Sequence, residues 1–384
     1  MRVLLLGMLM LSLLSPSWAS PERPQMDDAS AARHRIEDYL GDWQPAPLTA
    51  AEVSSWQADF VVAADGSGTY RTVQAALNAL PARPVNGRRH YIRIRPGVYR
   101  EQICVKAKAP FTMYGEASDA EAVLIVQGHY SAELRSAVGE TSDGANPCVS
   151  AKASAQVGTA GSASVAIFSH DVQLAFLSIA NDAMDGVREG VGYPPAAGEG
   201  GGAQAVALMT EGDRLQFEHI RLLGHQDTFY VRLGALAQAR VLLRQSLVAG
   251  DVDFIFGDAT LVMDDSRVLS RAGRRTPGQG GIVFAPSTAP AQAYGFLVTG
   301  SRLLGEAGLA PGTVSLGRAW DAGVPKGDWV AGQSPNGQLL VRDSTLGPHI
   351  GPWAASTSRR PPSVSGEQAH RLSEYRNRAV GAAL

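Results

Sequence analysis

The sequence predicts an all-β fold of the parallel β-helix type, a solenoid of stacked coils, and three observations carry that reading. A ten-residue cassette recurs: VQLAFLSIAN from Val172, LQFEHIRLLG from Leu215, VLLRQSLVAG from Val241, LVMDDSRVLS from Leu261, FLVTGSRLLG from Phe296 and LLVRDSTLGP from Leu339. Each copy reads as two short alternating strands joined by a bend. The starts fall 43, 26, 20, 35 and 43 residues apart, so a unit of about 20 to 26 residues repeats with insertions in some turns. No stretch between copies has the length and period of a crossover helix, so each coil must bury its apolar face on the next. A β-sandwich also uses many short strands, but its strands seldom keep one internal cassette along the chain.

Taken in order, Met1 to Ala19 carries Arg2, the apolar run Val3 to Leu14 and a small-residue end, the pattern of a secretory signal peptide cleaved after Ala19. Export, periplasmic or extracellular, is the expected localisation. Residues 20–57 are polar and Pro-containing, an N-terminal arm laid over the main body. Phe60 to Ala63 reads as a strand, Asp65 to Gly68 as a turn, and Thr72 to Leu80 as a short amphipathic helix closed by Pro81 that caps the solenoid. The Gly-Ser-Gly turn lacks the GK[ST] of a phosphate loop. Strands follow at Tyr91 to Ile94 and Val98 to Glu101. Val187 to Ala203, rich in Gly and Pro, is either a disordered turn or a loop bordering a cleft. The catalytic domain is expected over residues 58–353, and residues 354–384 as an irregular tail packed on it.

Composition narrows the class. A 384-residue chain that is 45% hydrophobic can bury a large core, and a net charge of −2 implies neither a polyanion-binding surface nor an acidic tail. The clusters Arg93 with Arg95, Arg271 with Arg274 and Arg275, and Arg359 with Arg360 read as solvated faces, so no nucleic-acid partner is expected. After the leader no run of about 20 apolar residues remains to span a bilayer. Cys104 and Cys148 are competent to pair in an exported chain, a bridge of roughly 4 kcal/mol, and two unpaired thiols remain the alternative. The histidines show no HExxH or other ligand spacing, so no metal or other cofactor is expected.

The chemistry is expected around Gly250 to Ala259, GDVDFIFGDA, where Asp253 and Asp258 stand inside an otherwise apolar strand. Stacking turns sequence offset into proximity. Asp227 and Asp253 each lie 12 residues after the start of consecutive cassettes, which puts their backbones one strand spacing apart, about 4.8 Å. Two carboxylates about 5 Å apart repel by roughly 3 kcal/mol at an effective dielectric near 20. One stays protonated while the other ionises, so an acid and a nucleophile or base come from one residue type. Gln226 adjoins Asp227, and Gln204 begins a strand, Gln204 to Leu208, that leads into the same coil; such amides suit a developing oxyanion. Arg318 can hold the ionised carboxylate by a bidentate contact, and Trp320 offers a stacking plate for a sugar ring. Together they describe acyl transfer at a carboxyl ester.

Five blocks, Gly97 to Glu101, Gln204 to Leu208, Gln226 to Tyr230, Asp253 to Gly257 and Leu316 to Trp320, resemble in order the signature blocks of the pectin methylesterase (pectinesterase) family. The resemblance runs from about Ala58 to Trp353. It implies a right-handed parallel β-helix that demethylates galacturonan esters without a metal. By motif match Asp253 would be the nucleophile and Asp227 the general acid and then base. Gln204 and Gln226 would be oxyanion and positioning groups, Arg318 the partner of Asp253, and Trp320 a sugar-binding wall, with Phe229, Tyr230 and Phe256 lining the cleft. Ala319 stands where the family usually has Pro, Asp258 where Asn is common, and the Gly-rich insertion is long. The text is similar to a bacterial branch related to outer-membrane pectinesterases and acyl thioesterase-like members.

The resemblance thus implies a monomeric enzyme acting on methylated polygalacturonate. Three other readings stand beside it: an acyl thioesterase of the same fold, a retaining glycosidase, whose carboxylates are similarly spaced, and a non-catalytic polyuronate-binding protein.

Overall fold

A three- or four-residue strand cannot satisfy its own backbone, so each coil depends on its neighbours for hydrogen bonds. The computed structural model describes residues 23–83, 87–137 and 155–379. Among them the strands form three parallel sheets, of ten, nine and eight strands. Each complete coil gives one strand to each sheet in turn. Leu215–Glu218 joins the ten-stranded sheet, Arg221–Leu223 the nine-stranded and Phe229–Val231 the eight-stranded; the next coil repeats this with Arg240–Arg244, Leu247–Gly250 and Val252–Gly257. The fold is the parallel β-helix the repeats predict. Register places Leu215, Val241, Leu261, Phe296 and Leu339 directly in line, so the cassette starts mark the coils.

Inward positions are apolar throughout. Phe217, Phe229, Phe254, Phe284 and Phe296 are fully buried in one continuous core, each contributing about 1.5–3 kcal/mol by leaving water. The bend between the ten- and nine-stranded sheets is held by a serine ladder. Ser246, Ser266, Ser301 and Ser344 each accept, at Oγ, the backbone N–H of the matching residue one coil earlier, at 3.0–3.2 Å. The last rung is Asn377, whose Oδ1 accepts from the Ser344 N–H at 3.1 Å.

The helix Val73–Ala79 caps the first coils, with Val73, Ala76 and Leu77 buried. The Glu101 carboxylate accepts the N–H groups of Val73 (2.8 Å) and Gln74 (3.0 Å). The Gln74 side chain in turn pairs with the N–H and C=O of Cys104 at 2.7 and 3.0 Å, as an added strand would. The first signature block is therefore structural. The N-terminal arm holds three short helices, Asp28–Ala31, Ile36–Leu40 and Ala50–Ser55. It covers the outward column Leu242, Val262, Leu297 and Leu340 of the ten-stranded sheet. Arg240, buried there, grips Asp213 at 2.8–2.9 Å and donates to the Leu40 carbonyl at 2.6 Å.

Several expectations need correction. Residues 371–379 are not an irregular tail: Arg371–Tyr375 and Arg378–Ala379 extend two of the sheets by one coil. This end coil has one stacked face only, so its apolar content drops and the repeat fades from the text. Of the two readings given for the Gly-rich insertion, the loop holds: it is pinned by Arg188 on Glu306 (2.7 Å), Tyr193 on the Arg274 carbonyl (3.3 Å) and Thr276 on Glu199 (2.6 Å). Arg274 and Arg360 are buried rather than solvated, each paired with an aspartate, Asp251 and Asp321. Cys104 is disulfide-bonded; Cys148 and the leader Met1 to Ala19 lie outside the described residues. Among the described residues no helix is long and apolar enough to cross a membrane.

Candidate active site

The site is built on the outer face of the eight-stranded sheet. Phe229 pairs with Ile255, so the same register carried back two residues sets Asp227 beside Asp253 on adjoining coils. Both aspartates adopt left-handed backbone, φ 66° and 47°, a region that Asp tolerates better than most residues. At Asp253 the ladder to the following strand slips: Val252 pairs with Ile282 but Ile255 with Phe284. This bulge turns Asp253 out of the strand's alternation and toward its partner. Downstream, Gly257 at φ 134° has no room for a side chain, because a Cβ would meet the Val231 carbonyl oxygen at 1.8 Å.

Arg318 donates from Nε to Asp253 Oδ1 at 3.0 Å and from Nη2 to Oδ2, the bidentate grip expected of it. It does so from two coils away. Phe256 pairs with Ala285, and Phe284 with Gly317, so Ala285 occupies the intervening coil between them. A methyl group there leaves the guanidinium its path.

Asp227 is 8% exposed, and burial, joined by the charge of Asp253, pushes its carboxyl well above the ordinary range, with Arg318 opposing in part. A carboxyl whose environment favours its protonated form thus stands beside an aspartate gripped by a guanidinium. Behind them lies a buried charge network. Burial alone would raise Asp251, but hydrogen bonds from His225 and Arg274 reverse this and hold it at about 2. His225 is fully buried between Asp251 (3.2 Å) and Asp185 (2.8 Å).

A cavity of about 440 Å³ opens over the two aspartates, and Gln204, Gln226, Arg318, Tyr230, Phe256 and Trp320 all line it. Gln204 lies in extended chain ahead of the strand Leu208–Thr210 rather than inside a strand. It is tied to the acid's coil by the Ala205 N–H, which donates to the Gln226 carbonyl at 3.0 Å. Among the described residues no protein group engages either glutamine's side-chain amide, so both can serve a ligand. Tyr230 and Phe256 stack at 4.1 Å, with Trp320 inclined to both at 6.0 and 5.6 Å, forming an aromatic wall. Burial pushes the Tyr230 hydroxyl up to about 12, leaving it a neutral phenol.

Phe229 does not join them. It is fully buried and packs on Phe217 in the core, because it alternates with the outward Tyr230. Sequence reasoning missed Thr159, Ala160, Arg232, Ala285 and Thr357, which also line the cavity. Arg232 was accessible, two residues after Tyr230 on the same strand face, and Ala285 follows from its register with Phe256. Thr159 and Thr357 come from connecting segments whose path the repeat does not specify. Among the described residues no group of three or more His, Cys, Asp or Glu is placed to hold a metal ion.

The pectinesterase family profile matches residues 59–154 and 178–322. A pectinesterase of Sitophilus oryzae is 32% identical over 409 residues, spanning all of both chains. YbhC of Escherichia coli K12, provisionally named an acyl-CoA thioester hydrolase, is 31% identical over 382 residues, spanning 88% of this chain and 82% of its own. The structure of rice weevil pectin methyl esterase superimposes with a TM-score of 0.79 at 30% identity, covering 94% of this chain and 98% of that one. That of a pectin methylesterase in complex with a hexasaccharide gives 0.66 at 25% identity, covering 86% and 92%.

Proposed function

The chain belongs to the pectinesterase family, and on that premise we propose that it hydrolyses methyl esters of galacturonan, releasing methanol and leaving polygalacturonate. The observation that carries the reading is the adjoining pair: Asp253 gripped bidentately by Arg318, beside Asp227, whose carboxyl burial pushes well above the ordinary range.

In this mechanism an Asp253 oxygen attacks the C6 ester carbonyl carbon, and the carbonyl electron pair moves onto oxygen, where the Gln204 and Gln226 amides can donate to it. Collapse breaks the C–OCH3 bond while Asp227 gives its proton to the leaving oxygen, yielding methanol and an Asp253 acyl anhydride. Asp227, now ionised, takes a proton from water as that water attacks the acyl carbon. The acyl–Asp253 bond breaks, Asp253 regains its carboxylate, and Asp227 ends protonated. Ester and water become acid and alcohol. The aromatic wall supplies a stacking face for the sugar ring. The leader-like N-terminus supports export to where such a polymer is met.

A thioester reading has the likeness to YbhC behind it. Titrated acid production and methanol release on methylated pectin, run beside acyl thioesters, separate the two. Asp253→Ala should abolish methanol release with the fold retained. Wild-type turnover of thioesters alone, or unchanged methanol release in the variant, would reject the proposal.

A further inference from the structure

The juxtaposition that sets Asp227 beside Asp253 recurs two residues earlier on the same two coils, where His225 faces Asp251 at 3.2 Å. The mechanism uses Asp227 and Asp253 and gives His225 and Asp251 no part. His225 is fully buried, and both ring nitrogens meet carboxylates, Nδ1 that of Asp251 and Nε2 that of Asp185 at 2.8 Å. The His225 carbonyl accepts the Asp251 N–H at 3.2 Å and the Thr228 hydroxyl at 3.1 Å. Arg271 Nη1 donates to the Gly224 carbonyl at 2.8 Å and stands 3.3 Å from His225 Nε2. The turn that carries Gln226 and Asp227 is therefore held through a side chain on one side and through its backbone on the other.

The Gly-rich insertion is anchored on that same turn. Asp185, in the short helix Asp185–Arg188, stands at its entrance and engages the His225 ring. Its exit runs directly into Gln204 and Ala205, and the Ala205 N–H donates to the Gln226 carbonyl at 3.0 Å. Between the two ends, the Tyr193 hydroxyl accepts from Arg274 Nη1 at 3.2 Å. Arg274 in turn clasps Asp251 through Nε and Nη2, both at 2.5 Å. Both ends of one segment thus close on the residues that flank the two cavity-lining amides, and its middle reaches the carboxylate paired with His225.

We propose that His225 is a positioning residue: held by Asp251 and Asp185, it sets the Gln226 amide and the Asp227 carboxyl against Asp253, and through Asp185 it makes the Gly-rich insertion a brace for Gln204 and Gln226. The roles of those catalytic groups rest on the esterase reading. A buried ion pair adds little net stability over an apolar filling, so what this network contributes is direction. Oxyanion donors act only once the carbonyl oxygen becomes charged, and a misplacement of about 1 Å in such a group costs about 10² in rate. Loosening the brace therefore lowers kcat and leaves KM in place.

The test cuts the brace at its exposed end. The Asp185 side chain is 46% exposed, so Asp185→Ala releases the His225 ring with little loss of burial, and Asp185→Asn keeps a hydrogen-bonding partner for it. On methylated oligogalacturonate, Asp185→Ala should lower kcat about tenfold or more with KM and the urea unfolding midpoint near wild type, and Asp185→Asn should recover most of the rate. Unchanged kcat in Asp185→Ala overturns the proposal. So does a kcat that falls only in step with the unfolding midpoint, or one that Asp185→Asn fails to restore, since either makes the network structural. A raised KM at constant kcat overturns it too, because the segment would then be meeting substrate itself. A wild type that hydrolyses acyl thioesters and no methyl ester sinks the esterase reading, and the same two variants read on the thioester then decide this one.

Discussion

Asp227→Asn should make the protein more stable and less active, with the stability gain confined to one side of a pH window. The substitution is nearly isosteric, and Asn accepts the φ of 66° as readily as Asp does. In the wild type, ionising Asp227 means leaving water and facing Asp253 one strand spacing away, a repulsion of about 3 kcal/mol at an effective dielectric near 20, which Arg318 offsets in part. Burial and Asp253 hold the folded carboxyl above its unfolded range. The folded state therefore binds the proton more tightly. Its contribution is fully present below the unfolded value of about 3.9 and is lost as pH rises through the raised folded one. Asn has no proton to lose. At pH 8 the variant should exceed wild type by about 1–3 kcal/mol in urea unfolding, and near pH 3.5 the two should coincide. Methanol release should fall by about 10² or more. A difference that stays flat with pH, or a wild type that is the more stable at pH 8, would refute the assignment of Asp227 as a neutral acid.

Arg318→Lys keeps a positive charge but loses the fork, and kcat on methylated oligogalacturonate should fall by about 10² with KM little changed. Ala285→Val fills the coil between Asp253 and Arg318, and should lower kcat about tenfold or more while the unfolding midpoint moves little, read by paired kinetic and thermal measurements. Trp320→Ala removes one ring of the aromatic wall and should raise KM several-fold, worth about 1 kcal/mol, with kcat nearly preserved. Arg274→Met leaves the buried Asp251 carboxylate without its guanidinium; a loss of about 3–5 kcal/mol in urea unfolding is expected.

The coils were legible because a solenoid writes its geometry as offset. The equal spacing of Asp227 and Asp253 from their cassettes survives as register in the sheet. What offset does not encode is which face a residue takes once the chain bulges or ends. Phe229 and Tyr230 are adjacent aromatics in one block, yet strand alternation sends the first to the core and the second to the cavity. Arg274 and Arg360 sit in basic clusters that resemble solvated faces, and only the folded chain brings Asp251 and Asp321 to them. Thr357 reaches the cavity from a segment with no repeat to place it.

The row of hydroxyls at one bend fixes where this architecture can change. Only Gln245 and Ser246 separate Arg244 from Leu247, and the same brevity holds at Asp265 with Ser266, Gly300 with Ser301 and Asp343 with Ser344. Each first member is left-handed, and each second member is bolted to the coil before it. The same corner holds seven residues between Phe111–Gly115 and Val123–Gln127, ahead of the hydroxyl row; along the row itself it acts as a spine with no extra residue. In those coils every difference in length is exported to the two remaining corners, the rims of the cavity, so chain can be gained or lost where substrate is met without disturbing the phase that keeps Asp227 level with Asp253.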